Sequence, residues 1–333
     1  MILRLARAAA ATVAAFAVAA TCMGAAQTAP ARLTLQVTES PVVAAAGIDT
    51  CQVNSIRYNR YEECQSVRAT VRVLRNSAEV GRATFTVTHH MKLSQKSLKW
   101  AETVHVSRAA LVGNAAGIRT KLSASCGSPC KATTHVPAHT LGSAFSGTVK
   151  YVDGVRKNKT HGATSKYAYT FVKAGFTPGG FSYKSLNFRC DDTFWNRANT
   201  VRTLKAGCVF PKYSPTLTTM SQLPDIANNI RRIQAQGGHY GKPGSGHALR
   251  RLTDARKAAA NRRAVCRGTA PRPGLSCDEY PFASTYEGGT TLPAGSRGIA
   301  WVPEGQQDQQ GGRLSAFYKK DRVLDHDSYW VAV

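Results

Sequence analysis

The chain has 333 residues, 43% of them hydrophobic, which is enough to bury a core in each of two domains and argues against a disordered chain. It carries 44 Lys plus Arg against 19 Asp plus Glu, a formal charge of +25. That balance disfavours cationic partners and favours polyanions: nucleic acid, an anionic cell-wall polymer or an anionic lipid surface.

The N-terminus reads as a signal peptide over residues 1–26. Arg4 and Arg7 precede an Ala-rich apolar run from Ala8 to Ala20, and Gly24, Ala25 and Ala26 offer a cleavage site. The run is short for a membrane span, and no later stretch is long and apolar enough to be an integral membrane segment. The expected location is therefore secreted, extracellular. Of nine Cys, Cys22 leaves with the signal. The other eight fall into sequence-local pairs: Cys51 with Cys64, Cys126 with Cys130, Cys190 with Cys208, and Cys266 with Cys277. An even set in an exported chain predicts disulfides, with local pairing preferred among many connectivities. No Cys-x-x-Cys occurs, which disfavours a thiolate metal site.

From 32 to 175 the pattern is that of short strands. Leu33, Leu35 and Val37 alternate with polar residues, as do Ala69, Val71 and Val73, then Phe85 and Val87. Tyr167, Tyr169 and Phe171 predict one aromatic face, read as sheet packing rather than as a ligand platform. His89-His90 lies within such a run and reads as a sheet pair rather than a site. The expected unit is an antiparallel β-sandwich-like domain. Residues 176–220, punctuated by Pro178-Gly179-Gly180, Pro211 and Pro215, predict a connector stapled by Cys190 and Cys208.

Residues 221–333 predict a small α+β domain. Ile226, Ile230 and Ile233 sit at helical spacing after Pro224-Asp225, and Gly237-Gly238 ends that helix. A basic helix follows over about 253–265. His239 and His247 flank a Gly-rich loop between the two and read as incidental. This domain holds 16 Lys plus Arg and 10 Asp plus Glu, against 28 and 9 in the preceding 220 residues, so most of the basic excess lies outside it.

The chemistry concentrates in Asp278-Glu279-Tyr280-Pro281, followed by Glu287-Gly288-Gly289. Hydrolysing a phosphodiester needs a base for water, a cation for the developing phosphate charge, and ligands for that cation. Clustered carboxylates supply both base and hard-cation ligands, although surfaces carry such clusters without function.

The run from Asp278 to Gly289 resembles the NucA/NucB deoxyribonuclease family. So do Gly311-Gly312-Arg313-Leu314-Ser315-Ala316-Phe317-Tyr318 and, more modestly, Gly207 to Pro211 and Asn261-Arg262-Arg263. The resemblance covers about 205–333. It implies a nuclease domain with a ββα-metal core and one divalent ion, Mg²⁺ or Mn²⁺. Asp278 takes the place of the general base, with Glu279 and Glu287 as further catalytic or metal-shell residues. The family's metal-holding Asn, in an Asn-x-x-x-Gly setting, is replaced here. Asp308 stands there if the register is counted from Gly312, and Gln307 if it is counted from Gly311; ligand chemistry favours Asp308. Arg262, Arg263 and Arg313 are candidates for steadying the substrate. The expected protein is a monomeric, secreted, metal-dependent endonuclease acting on DNA with little sequence specificity, with an anionic cell-wall polymer as a second candidate partner. The competing expectation, raised by the missing Asn, is a basic DNA- or cell-wall-binding protein with an inactive nuclease module.

Overall fold

The computed structural model describes residues 33–333 apart from 48–50, 197, 269 and 271; the expected signal peptide lies outside the described residues. The described residues are mixed α and β, rich in strands, and their three α-helices all lie in the C-terminal third.

Strict alternation builds the first domain. In Lys99–Val106 every second side chain is buried, so Trp100, Glu102, Val104 and Val106 share the inner face. Long strands Glu62–Arg75 and Ala78–Lys92 pair antiparallel and form the spine of a nine-stranded sheet. A four-stranded sheet, centred on Arg119–Ser125, Lys166–Val172 and Gly179–Lys184, packs against it. The two close on one core containing Val71, Phe85, Val104, Val149 and the expected aromatic face of Tyr167, Tyr169 and Phe171. Strand Gly179–Lys184 hydrogen-bonds to Lys166–Val172, so the first part of the stretch read as a connector completes this sandwich. All four local Cys pairs are disulfide-bonded. Among the described residues no helix is long and apolar enough to cross a membrane.

The inner face also carries acids. Glu63, His89 and Glu102 fall on inward positions of three neighbouring strands and are buried. His89 Nδ1 meets Glu102 Oε1 and its Nε2 meets the Tyr169 hydroxyl at 2.9 Å. Tyr151 donates to Glu102 at 2.6 Å. Glu63 accepts from the Leu186 amide, but burial pushes its carboxyl up to about 8 and the Glu102 charge adds to that.

The C-terminal domain has its own core. α1 (Pro224–Gln234) buries Ile226, Ile230 and Ile233 against Tyr280, Val302, Leu314 and Phe317. α2 (Ala255–Cys266) starts at Asp254, whose carboxylate accepts from the Arg256 and Lys257 amides, and buries no residue fully. Strands Leu275–Tyr280 and Gly298–Pro303 pair antiparallel and lead directly into α3 (Glu304–Lys320). The last strand, Ser328–Val331, lies between Thr216–Leu217 and Leu249–Arg250.

Arginines join the domains. In the loop after α3, Arg322 is fully buried with φ of 46°, a left-handed conformation that a side chain adopts only under constraint. Its guanidinium donates to both Asp191 carboxylate oxygens, at 2.8 and 2.5 Å, and to the Gln95 and Lys205 carbonyls. From the sandwich side, Arg60 and Arg189 both donate to Asp327 and to the Arg322 carbonyl. Burial pushes the Asp327 carboxyl up, but Arg189 and Arg60 outweigh it and hold the group below the usual range.

Two outcomes follow. Arg322→Ala strands the buried Asp191 charge and should cost about 3–5 kcal/mol in denaturant unfolding; an unchanged midpoint would mean the contact does not form in solution. Glu63 keeps its proton to about pH 8 when folded but releases it near 4.5 when unfolded, so the folded state binds more protons in between. That contribution is complete below 4.5 and is lost as pH rises through 8. Melting temperature should fall across this window, and Glu63→Gln should flatten the fall.

Candidate active site

Strand Leu275–Tyr280 places Asp278 and Glu279 side by side in a buried stretch between α1, α2 and α3. Asp278 has no solvent exposure. Asn229 Nδ2 of α1 donates to its Oδ2 at 2.8 Å, and Gln310 Nε2 of α3 donates to its Oδ1 at 2.7 Å. Burial raises its pKa, while the two amides and the Arg262 charge oppose that rise without cancelling it. A carboxylate offers about four lone-pair positions, so both oxygens can still accept from water if one amide moves aside.

Glu279 faces a cleft of about 450 Å³, lined also by Arg262, Ser284, Gln307, Asp308, Gln310 and Gly312. Burial pushes its carboxyl up to about 7, with Arg262 pulling down and Asp278 pushing further up. Among the described residues, two buried oxygens in this cleft find no hydrogen-bond partner: Glu279 Oε2 and Gln307 Oε1. Buried unpaired acceptors are costly, and two lining one cleft suit an incoming cation or donor. Gln307 Nε2 donates to Gln310 Oε1 at 3.2 Å, which links the cleft wall to Asp278 through one side chain. Asp308 lines the same cleft but is exposed.

The remaining candidates separate. Arg262 lines the cleft and donates to Ser276 Oγ and the Cys277 carbonyl, both at 3.0 Å. Arg263 is exposed on α2 and does not line the cleft. Arg313 donates to the Thr219 carbonyl and Gln222 Oε1, tying α3 to the turn before α1. Glu287 is buried and accepts from the amide and Nε of Arg250, at 2.7 and 2.8 Å, so it anchors strand Leu249–Arg250. His239 bonds to the Gln234 carbonyl at the end of α1 and His247 to the Gly238 carbonyl in the loop, and His247 stacks on Tyr240.

The glycines after Glu287 have a packing reason. Gly289 sits at φ of 68°, and a Cβ there would lie 2.8 Å from Asn261 Oδ1. Asn261 in turn donates to the Ala283 and Thr285 carbonyls. With the Cys266–Cys277 disulfide, these bonds hold α2, and with it Arg262, against the acid pair.

Asn229 and Gln310 escaped the motif reading. Each lies on the inward stripe of its helix: Asn229 with Ile226, Ile230 and Ile233, and Gln310 with Leu314 and Phe317. A polar residue on an apolar stripe was the signal available.

The buried acid pair thus sits on an antiparallel strand pair that runs into a helix, beside a cleft. Residues 235–332 match the deoxyribonuclease NucA/NucB family, so the C-terminal region carries a nuclease domain of that family. No curated protein matches the chain.

Replacing Cys266 and Cys277 together with Ser releases α2 from the strand. The double variant should lose about 2–4 kcal/mol in guanidinium unfolding, the range for a short disulfide loop. A loss near zero would show that the Asn261 bonds suffice.

Proposed function

We propose that the protein is an exported, divalent-metal-dependent endonuclease that hydrolyses DNA phosphodiester bonds with little sequence preference. The observation that carries this reading is the pair of buried, unpartnered oxygens on Glu279 and Gln307 in a cleft beside Asp278, within the region that matches the family. Export is supported by the four disulfides, which persist in oxidising compartments.

Glu279 and Gln307 would hold the ion, with Asp308 at the rim. Among the described residues no group of three or more His, Cys, Asp and Glu is placed to hold a metal. Mg²⁺ is commonly bound through one or two carboxylates and keeps several waters, so a donor set of one carboxylate and one amide oxygen fits. Gln307 takes the Asn place better than Asp308, since its amide oxygen is already desolvated and unpaired. When bound, the ion supplies charge stabilisation for the phosphate as it is attacked.

Asp278 accepts the proton of the attacking water. The Asn229 and Gln310 amides favour its ionised form, and Gln310, the one that lines the cleft, moves aside to admit water. Arg262, fixed by Ser276 and the Cys277 carbonyl, faces the phosphate. The thin donor set also favours a second reading, a polyanion-binding protein whose nuclease domain has lost activity.

Plasmid cleavage by the purified protein with Mg²⁺ or Mn²⁺, with and without EDTA, separates the two. Asp278→Asn should lower kcat by roughly 10²–10⁴ at saturating metal, the range for loss of a general base. Glu279→Gln should instead raise the metal concentration needed for half-maximal rate. Failure of folded, disulfide-bonded protein to cut in the presence of any divalent ion would overturn the enzyme reading in favour of the binding protein.

A further inference from the structure

A second cavity lies away from the acid pair, where the first domain meets the nuclease domain. Its volume is about 720 Å³. Arg189, Phe194 and Trp195 line it from the first domain's side; Arg251, Ser315 and Lys319 line it from the nuclease side.

Its charge is one-sided. Arg189 is paired with Asp327, and Arg202, which packs over Trp195, is paired with Asp192. Arg251 packs over Tyr318 at 4.3 Å and Lys319 lies in the last turn of α3, both at the cavity wall; Lys157, just outside the wall, packs over Trp195 at 4.1 Å and donates to the Asn199 carbonyl. Among the described residues none of these three forms an ion pair with a carboxylate. The one acid in the wall, Asp325, is engaged by Thr253 and by the Tyr286 hydroxyl.

α3 connects this cavity to the acid pair. Asp308 and Gly312 line the Glu279 cleft, and Ser315 and Lys319 line the cavity. Steps of four, three and four residues place them on one helix face. From Asp308 to Lys319 that face runs about 16 Å at 1.5 Å per residue. This matches about five base pairs of duplex at 3.4 Å each. Ser284, in the cleft, meets the Tyr318 hydroxyl, in the cavity, at 3.4 Å, so the two hollows share a wall.

We infer that the cavity is a second binding site for the DNA backbone, built jointly by the two domains, which seats phosphates about five base pairs from the bond to be cut. Its cations make the first domain part of the substrate track. The inference rests on the nuclease reading for its choice of ligand.

Binding can be read without cleavage. The full-length protein in EDTA is titrated with a labelled duplex of about 24 base pairs and with a hairpin of about five. The duplex should bind more tightly. Lys319→Ala and Lys157→Ala should each lower the slope of log Kd against log salt for the duplex by about one, and leave the hairpin unchanged. Charge reversal by Lys319→Glu should weaken duplex binding further, and thermal melting checks that each variant is folded. Equal affinity for the two probes, or slopes untouched in folded variants, overturns the inference while leaving the nuclease reading standing. Failure of the wild type to cut with any divalent ion overturns that reading instead, and the binding result still decides whether the cavity holds DNA.

Discussion

The buried Arg322–Asp191 pair is the contact on which the arrangement of the two domains depends. Neither charge reaches solvent, and a lone buried ion would be far more costly than the pair. The remaining guanidinium hydrogens go to the Gln95, Lys205 and Asp191 carbonyls, so the arginine is fully engaged by the first domain. Arg60 and Arg189 grip the same loop through its Arg322 carbonyl and the Asp327 carboxylate. Because the loop follows α3 directly, the end of the helix that bears Gln307 and Gln310 is fixed to the sandwich.

Rigidity also explains how the acid pair is held. Asp278 is reached by one amide from α1 and one from α3, and the helix carrying Arg262 is pinned to the neighbouring residue Cys277 by a disulfide. Three helices and one strand therefore converge on two carboxylates. Asn229 lies before the residues that match the family, so the environment of Asp278 is completed from outside that region.

Much of this could be read from residue spacing. Alternation located the sandwich strands and the aromatic face, because a sheet with one buried side repeats every two residues. The Asp278 to Gly289 run falls within the residues that match the family, and the local Cys pairs matched the disulfides. Charge was legible only without its surroundings. Arg313 reads as a DNA contact in sequence, and the fold adds its bonds to the Thr219 carbonyl and Gln222; Glu287 reads as catalytic, and the fold adds two bonds from Arg250. A sequence displays charge without its partners, and the partners lie 91 and 37 residues away. The interdomain arginines were hidden for the same reason, since Arg322 and Asp191 are 131 residues apart.

The buried loop bears on how such a protein arises and how it can be taken apart. A fragment of residues 221–333 would carry Arg322 and Asp327 without the groups that neutralise them, and a left-handed arginine with nothing to hold it. The two domains are therefore not interchangeable parts on a string. Grafting the C-terminal domain onto another carrier would require rewriting that loop.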